Sequence, residues 1–351
     1  MNKYLITLTP LDWFFFGGER THDEGERSDY LAKSNYFPQQ SAIIGLLRYQ
    51  LLKQNGLLTY PGKVLSTSEL LEIENLIGKR SFNLDNWNTP FEFGKINSIS
   101  PLSIIRKRTS DFYFPVSMDE GYQPEFKPTK VCLNGVEKDQ IIYSSLFDHK
   151  TYNNYLVWSS KKSSLKLKTD DIWINQSKIG ITKPKAGEEN IKSFYKQEQL
   201  MFKDDFTYAF FADIDHELFP DIVFLGGQRS AFKMDVTLIG KDSFLNASES
   251  YMDNIVQRSE TGKIILLSNT YVADYQQLNS LCRFHWSDVV TFKNILTDIK
   301  KKNYYVRPKK STKYHLFRYG SVLYFDEDHR RSIEDLIYKP YLQSAGYNYY
   351  V

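Results

Sequence analysis

Cysteine is nearly absent: Cys132 and Cys282 are the two in 351 residues. Two thiols cannot build a disulfide framework or a four-cysteine zinc site. They read as buried thiols of a chain kept in a reducing cytosol. No apolar run approaches the roughly 20 residues that a bilayer span needs, which argues against a membrane protein. The opening MNKYLITLTP lacks the apolar stretch and small-residue cleavage site of a secretory signal. The expected location is therefore cytoplasmic. An excess of one charge is missing too, with 45 Lys+Arg against 42 Asp+Glu. The sequence has no GxxxxGK[ST] loop, which excludes P-loop nucleotide hydrolysis, and no GxSxG nucleophile turn. Its six histidines form no HExxH, HxH or Cys/His zinc spacing. No cofactor and no metal site is expected.

What the chain does have is aromatic side chains, 25 Tyr and 24 Phe. Aromatics favour strands and can stack on bases or on other subunits. With 41% hydrophobic and 25% charged residues the composition is that of a folded protein. The length suggests about two domains. Charge is local rather than global. Residues 300–313 carry seven Lys or Arg and no acid, and residues 161–168 are also basic. Tyr304 and Tyr305 inside the first run suit a single strand, which is held by phosphate contacts plus stacking.

Residues 3–9 alternate, with Tyr4, Ile6 and Leu8 on one face, and predict an opening strand. Asp12 to Phe16 resumes as a second extended stretch, and Gly17-Gly18 leads into a polar loop. Ser41 is the expected N-cap of a helix whose Ile43, Ile44, Leu47 and Leu51 recur at helical spacing up to Asn55-Gly56. Ser66 and Glu69 stand in capping-box spacing ahead of a second helix, with Gly78 behind it. From 79 to 170 five prolines punctuate short aromatic strands, read as insertions and hairpins. Strands are expected at 206–212, 263–272 and 319–325, and helices at 244–257 and 287–300. No βαβα alternation persists, so a doubly wound parallel sheet is not expected. The expected class is α+β, a pair of ferredoxin-like units with long insertions.

Candidate chemistry is sparse. Asp213, Asp215 and His216, or Asp326 to His329, could gather round a metal, but both follow strand-like stretches where acidic turns are common. Gly226-Gly227 follows an apolar run, with Arg229 just beyond. Exposed backbone N–H groups and a guanidinium suit a phosphate. His22, beside Arg20 in the first polar loop, could serve as general base on a ribose 2′-OH, though no partner acid or lysine stands out.

Five segments together resemble a known family. TPLDWFFFGGER (9–20), YFPQQSAIIGLLRYQLL (36–52), KIGITKPKAGEENIKSFYKQEQL (178–200), LGGQRSAF (225–232) and FRYGSVLYF (317–325) occur in the order expected of the RAMP superfamily of CRISPR-associated proteins. They are most similar to the subunit-three family of the type III-B Cmr complex. The resemblance implies two RRM-like ferredoxin domains, 1–200 with an insertion at about 79–170 and 201–351, and a β-hairpin thumb. It implies a non-catalytic subunit that holds the 5′ tag of the CRISPR RNA. Its expected neighbours are the large polymerase-like subunit and the first backbone RAMP subunit, with target RNA met only indirectly and no membrane. The expected RNA-binding residues are Arg20, His22, Gln39, Gln40, Ser41, Arg48, Lys183, Lys185, Gly226, Gly227 and Arg229. The N-terminus of the first helix would offer N–H groups and a positive dipole end to a phosphate. Three rivals stay open: a metal-independent RNA-processing endonuclease of the same superfamily using His22, the equivalent subunit of a type III-A or III-D complex, and a purely structural partner-binding protein.

Overall fold

The structure is a computed structural model that describes residues 2–17, 30–58, 65–114, 117–119, 122–133, 136–145, 158–159, 167–182, 193–203, 205–226, 229–240, 262–297 and 309–351. It is a mixed, strand-rich α/β fold. The first strands are β1 (Asn2–Pro10), β2 (Tyr30–Lys33), β3 (Ile96–Ile99), β4 (Ser103–Arg106) and β5 (Asp111–Phe114). A long pair follows, β6 (Tyr122–Leu133) and β7 (Val136–Ser145), then β8 (Trp158–Ser159), β9 (Trp173–Thr182) and β10 (Ser193–Phe202). Next come β11 (Phe206–Ile214), β12 (Asp221–Leu225), β13 (Ser230–Ile239), β14 (Gly262–Ile265) and β15 (Cys282–Trp286). The chain closes with β16 (Val289–Phe292), β17 (Ile295–Leu296), β18 (Lys309–Lys310), β19 (Tyr314–Phe317) and β20 (Val322–Phe325). The helices are α1 (Gln40–Gln54), α2 (Thr67–Ile77), α3 (Thr169–Ile172), α4 (Tyr275–Leu281), α5 (Arg330–Ile337) and α6 (Pro340–Ser344).

The largest sheet runs β12-β13-β1-β11-β4-β5-β8, with β3 also on β11. The alternation of residues 3–9 takes effect here. Tyr4, Ile6 and Leu8 turn inward with 6%, 0% and 0% exposure, opposite Ala212, Phe210 and Tyr208 of β11. Strands from both sides of the expected boundary after residue 200 share this sheet, since β1 lies between β11 and β13. Helix α1 joins the same core through Ile43, Ile44, Leu47 and Leu51. Each such side chain contributes on the order of 1.5–3 kcal/mol when fully buried. A second sheet, β2-β10-β9, holds the one parallel pairing among the described residues, β2 with β10. A third, β14-β20-β15, packs Ile264, Leu266, Leu323 and Phe325 against Ile333 and Ile337 of α5. The β6–β7 hairpin is a sheet by itself among the described residues.

Helix α2 has the expected capping box, Ser66 with Glu69, and ends at Gly78. Helix α1 begins two residues early, with Gln39 rather than Ser41 as N-cap. Over its described residues, 287–297, the helix expected at 287–300 is instead β16 and β17, paired with β19 and β18. Val289, Val290, Thr291 and Phe292 are β-branched or aromatic, and Asn294 breaks the run by donating to the Phe82 carbonyl. The strand expected at 263–272 ends at Ile265, and the one expected at 319–325 starts at Val322. The helix expected at 244–257 lies outside the described residues.

Candidate nucleic-acid interface

The glycine turn joins β12 to β13. Leu225 and Ser230 are its last pair. Gly226 has φ +85°, and a Cβ there would lie 2.5 Å from the Phe15 carbonyl oxygen. Glycine is therefore required twice, by conformation and by space. Arg229 also sits at positive φ, 55°, and its N–H donates to the Gly226 carbonyl at 3.1 Å. This places its guanidinium over the Phe224 ring, 5.3 Å from the centroid. Phe224 is 51% exposed and Arg229 is exposed as well. The result is a cation–aromatic step held on a turn that rests on the Phe15 carbonyl and the Phe16 ring. Such a step can take a base on its face and a phosphate on its edge. Phe224 was not singled out by sequence; an aromatic just before a double glycine was the available signal. Gly227 lies outside the described residues.

Arg20, His22, Lys183 and Lys185 also lie outside the described residues, but their attachment points are defined. Residues 18–29 join the fold at Gly17, which bridges to Ser34, and at Tyr30. Gly17 follows the Phe15 and Phe16 that support Gly226. Tyr30 stands beside Tyr195, while Thr182 and Ser193 face each other as the end pair of β9 and β10. The segment carrying Lys183 and Lys185 thus attaches at the same end of the β2-β10-β9 sheet as the Tyr30 end of the segment carrying Arg20 and His22, whose Gly17 end meets Ser34 just past the opposite end of β2.

The start of α1 departs from expectation. Its free N–H groups were to meet a phosphate, but the fold uses them itself. The Ser41 N–H donates to the Tyr347 hydroxyl at 3.1 Å and the Ala42 N–H to the Gln39 carbonyl at 2.8 Å. Gln40 is buried, donating to the Ser100 carbonyl at 2.7 Å and accepting from the Leu102 N–H at 3.3 Å. Gly346 packs so closely that a Cβ would fall 2.1 Å from the Gln40 side-chain nitrogen. Tyr347 is itself buried, stacked on Phe82, and burial pushes its hydroxyl pKa up. Gln39 stays exposed and makes no side-chain cap.

Arg48 is corrected most sharply. It is 8% exposed, and its guanidinium donates to the carbonyls of Ile77 at 2.9 Å and Gly78 at 3.2 Å. It satisfies the orphan carbonyls at the end of α2. Burial lowers its pKa to about 10. Its Nε and Nη2 donors are spent within the fold.

Several members of the acidic turns have protein partners. His216 pairs with Asn55 at 3.0 Å, and a hydrogen bond from Asn97 holds Asp215 below its usual pKa. Asp326 pairs with Arg283 at 3.4 Å, and Glu327 with Arg330 at 2.8 Å. No group of three His, Cys, Asp or Glu side chains placed to hold a metal occurs among the described residues. No helix is long and apolar enough to cross a membrane among them. An open cavity of about 750 Å³ borders His216, Asn55, Lys95 and Phe219.

No curated protein matches the chain in sequence. Among solved structures it is similar to a chain of "Type III-B Cmr-beta bound to cognate target RNA", studied by cryo-electron microscopy. The identity is 17%, the TM-score 0.49, and the match covers 99% of this chain and 96% of that one. A second similar chain comes from the same kind of complex bound to target RNA and AMPPnP. It shows 16% identity and a TM-score of 0.47, over 98% of this chain and 94% of that one. The family model for the CRISPR-associated protein Cas_Cmr3 matches residues 6–331. The order of the five segments and a match over nearly the whole chain agree: the chain belongs to the Cas_Cmr3 family of CRISPR-associated proteins, a subunit of a type III-B Cmr complex.

Proposed function

We propose that this subunit binds and positions the 5′ tag of the CRISPR RNA and breaks no bond itself. It docks the large polymerase-like subunit and the first backbone subunit. The observation that carries the reading is the exposed Arg229–Phe224 step, held on a glycine turn beside the root of the segment bearing Arg20 and His22. Phosphates position a strand and stacking holds its bases, and this locus offers both. Lys183 and Lys185 extend the cationic track from the other attached segment. Gln39 adds an exposed amide at the start of α1. Gln40, Ser41 and Arg48 serve the scaffold through their contacts within the fold.

The test uses the full chain in its assembled complex with tag-bearing RNA. Ultraviolet crosslinking followed by peptide mapping should place adducts at Phe224 and within 18–29 or 183–192. Adducts confined to other subunits would overturn the reading. Incubating the pure chain with repeat RNA in a chelator checks the catalytic rival. Cleavage lost in His22→Ala would replace the non-catalytic assignment.

A further inference from the structure

Asp119 is the one acid among the buried polar side chains of the described residues, at 5% exposure. One carboxylate oxygen lies 2.5 Å from the Lys263 Nζ and also accepts from the Tyr324 hydroxyl. The other accepts from the Ser117 hydroxyl. Lys263 and Tyr324 face each other across β14 and β20, so the carboxylate sits on a cross-strand pair of the C-terminal sheet. Lys263 also stands 5.7 Å from the Tyr324 ring centroid. Beside it the Met118 N–H donates to the Gly320 carbonyl at 2.8 Å, and Ser321 Oγ reaches the Met118 sulfur at 3.9 Å. Three residues past Asp119, Tyr122 begins the β6–β7 hairpin.

A buried carboxylate is costly unless its lone pairs are met, and a packed apolar contact would anchor a loop as well. What a charged, three-donor clasp adds is a single permitted geometry. The β6–β7 hairpin pairs with no other strand among the described residues, although β7 also packs against β15 of the C-terminal sheet, so its direction is set at its root and along that contact. A bulge between Lys127 and Lys130, at Pro128, bends it further along.

We propose that Asp119 is a positioning residue: its clasp on Lys263 and Tyr324 fixes the angle at which the β6–β7 hairpin leaves the C-terminal sheet. The inference concerns this chain alone and does not need the RNA reading to hold. Spin labels at Leu133→Cys, the last residue of β6, and at exposed Arg331→Cys report the angle as a distance. Cys132→Ser removes the neighbouring thiol, and Cys282 is 2% exposed. A control pair joins Lys233→Cys to Arg331→Cys.

The parent should give one narrow distance for each pair. Asp119→Asn, which keeps the shape, and Asp119→Ala should both broaden the hairpin distance at least twofold while the control stays narrow. Ser117→Ala should broaden it less. A hairpin distance that stays narrow in both Asp119 variants overturns the proposal. Equal broadening of the control pair also overturns it, because the carboxylate then holds the whole sheet rather than the arm. Failure of the RNA reading would show separately, as loss of tag binding by the parent.

Discussion

Phe224→Ala removes the stacking face and leaves the turn backbone intact. Aromatic stacking on a base is worth about 1–3 kcal/mol by alanine substitution, so tag affinity should fall by roughly 5- to 150-fold. The change should not depend on salt, because no charge is lost. Arg229→Ala removes a charge instead. One single-strand phosphate contact contributes about 0.7 to the slope of log K against log salt. Between 50 and 200 mM salt that is about 2.5-fold in affinity, which the parent loses and Arg229→Ala does not. Arg229→Lys separates the two effects: the slope returns, but the planar contact over the Phe224 ring does not. Fluorescence anisotropy with a labelled tag RNA, titrated at several salt concentrations, reads both quantities. Unchanged affinity in Phe224→Ala together with an unchanged slope in Arg229→Ala would refute the assignment.

Arg48→Ala should destabilise the fold by about 2–4 kcal/mol in urea, through lost packing and two uncapped carbonyls, while the salt slope of RNA binding stays put. Gly346→Ala combines positive φ with a collision against Gln40 and should lower the melting temperature by several degrees at least. Alkaline stability should fall as pH rises above 10. Burial raises the pKa of Tyr347, and that of Tyr349 and Tyr350 to about 12, so the folded chain keeps protons that unfolded tyrosines release near 10. The stabilisation is complete below pH 10 and is lost up to about 12, and urea midpoints across that window should show Tyr347→Phe to be less sensitive.

Local patterns were legible where local physics decides. The alternation of Tyr4, Ile6 and Leu8 placed β1, and Ser66 with Glu69 placed the start of α2. Distant contacts were not. The start of α1 moved because Tyr347, 306 residues away, supplies its cap. Arg48 looked like a surface cation because helical spacing does not reveal a second helix ending against it. Residues 289–296 look helical by apolar spacing, yet their edges are filled by β18 and β19. At the interface the glycine turn and Arg229 were readable from composition, whereas Phe224 gained meaning once Arg229 was seen lying on it.

The cap on α1 also bears on synthesis. Its hydroxyl comes from a residue translated 306 positions after the amide it serves. At about 5–20 residues per second a ribosome leaves that helix start open for roughly 15–60 seconds. An early-made helix whose first turn closes so late gives a chaperone a reason to hold the nascent polypeptide.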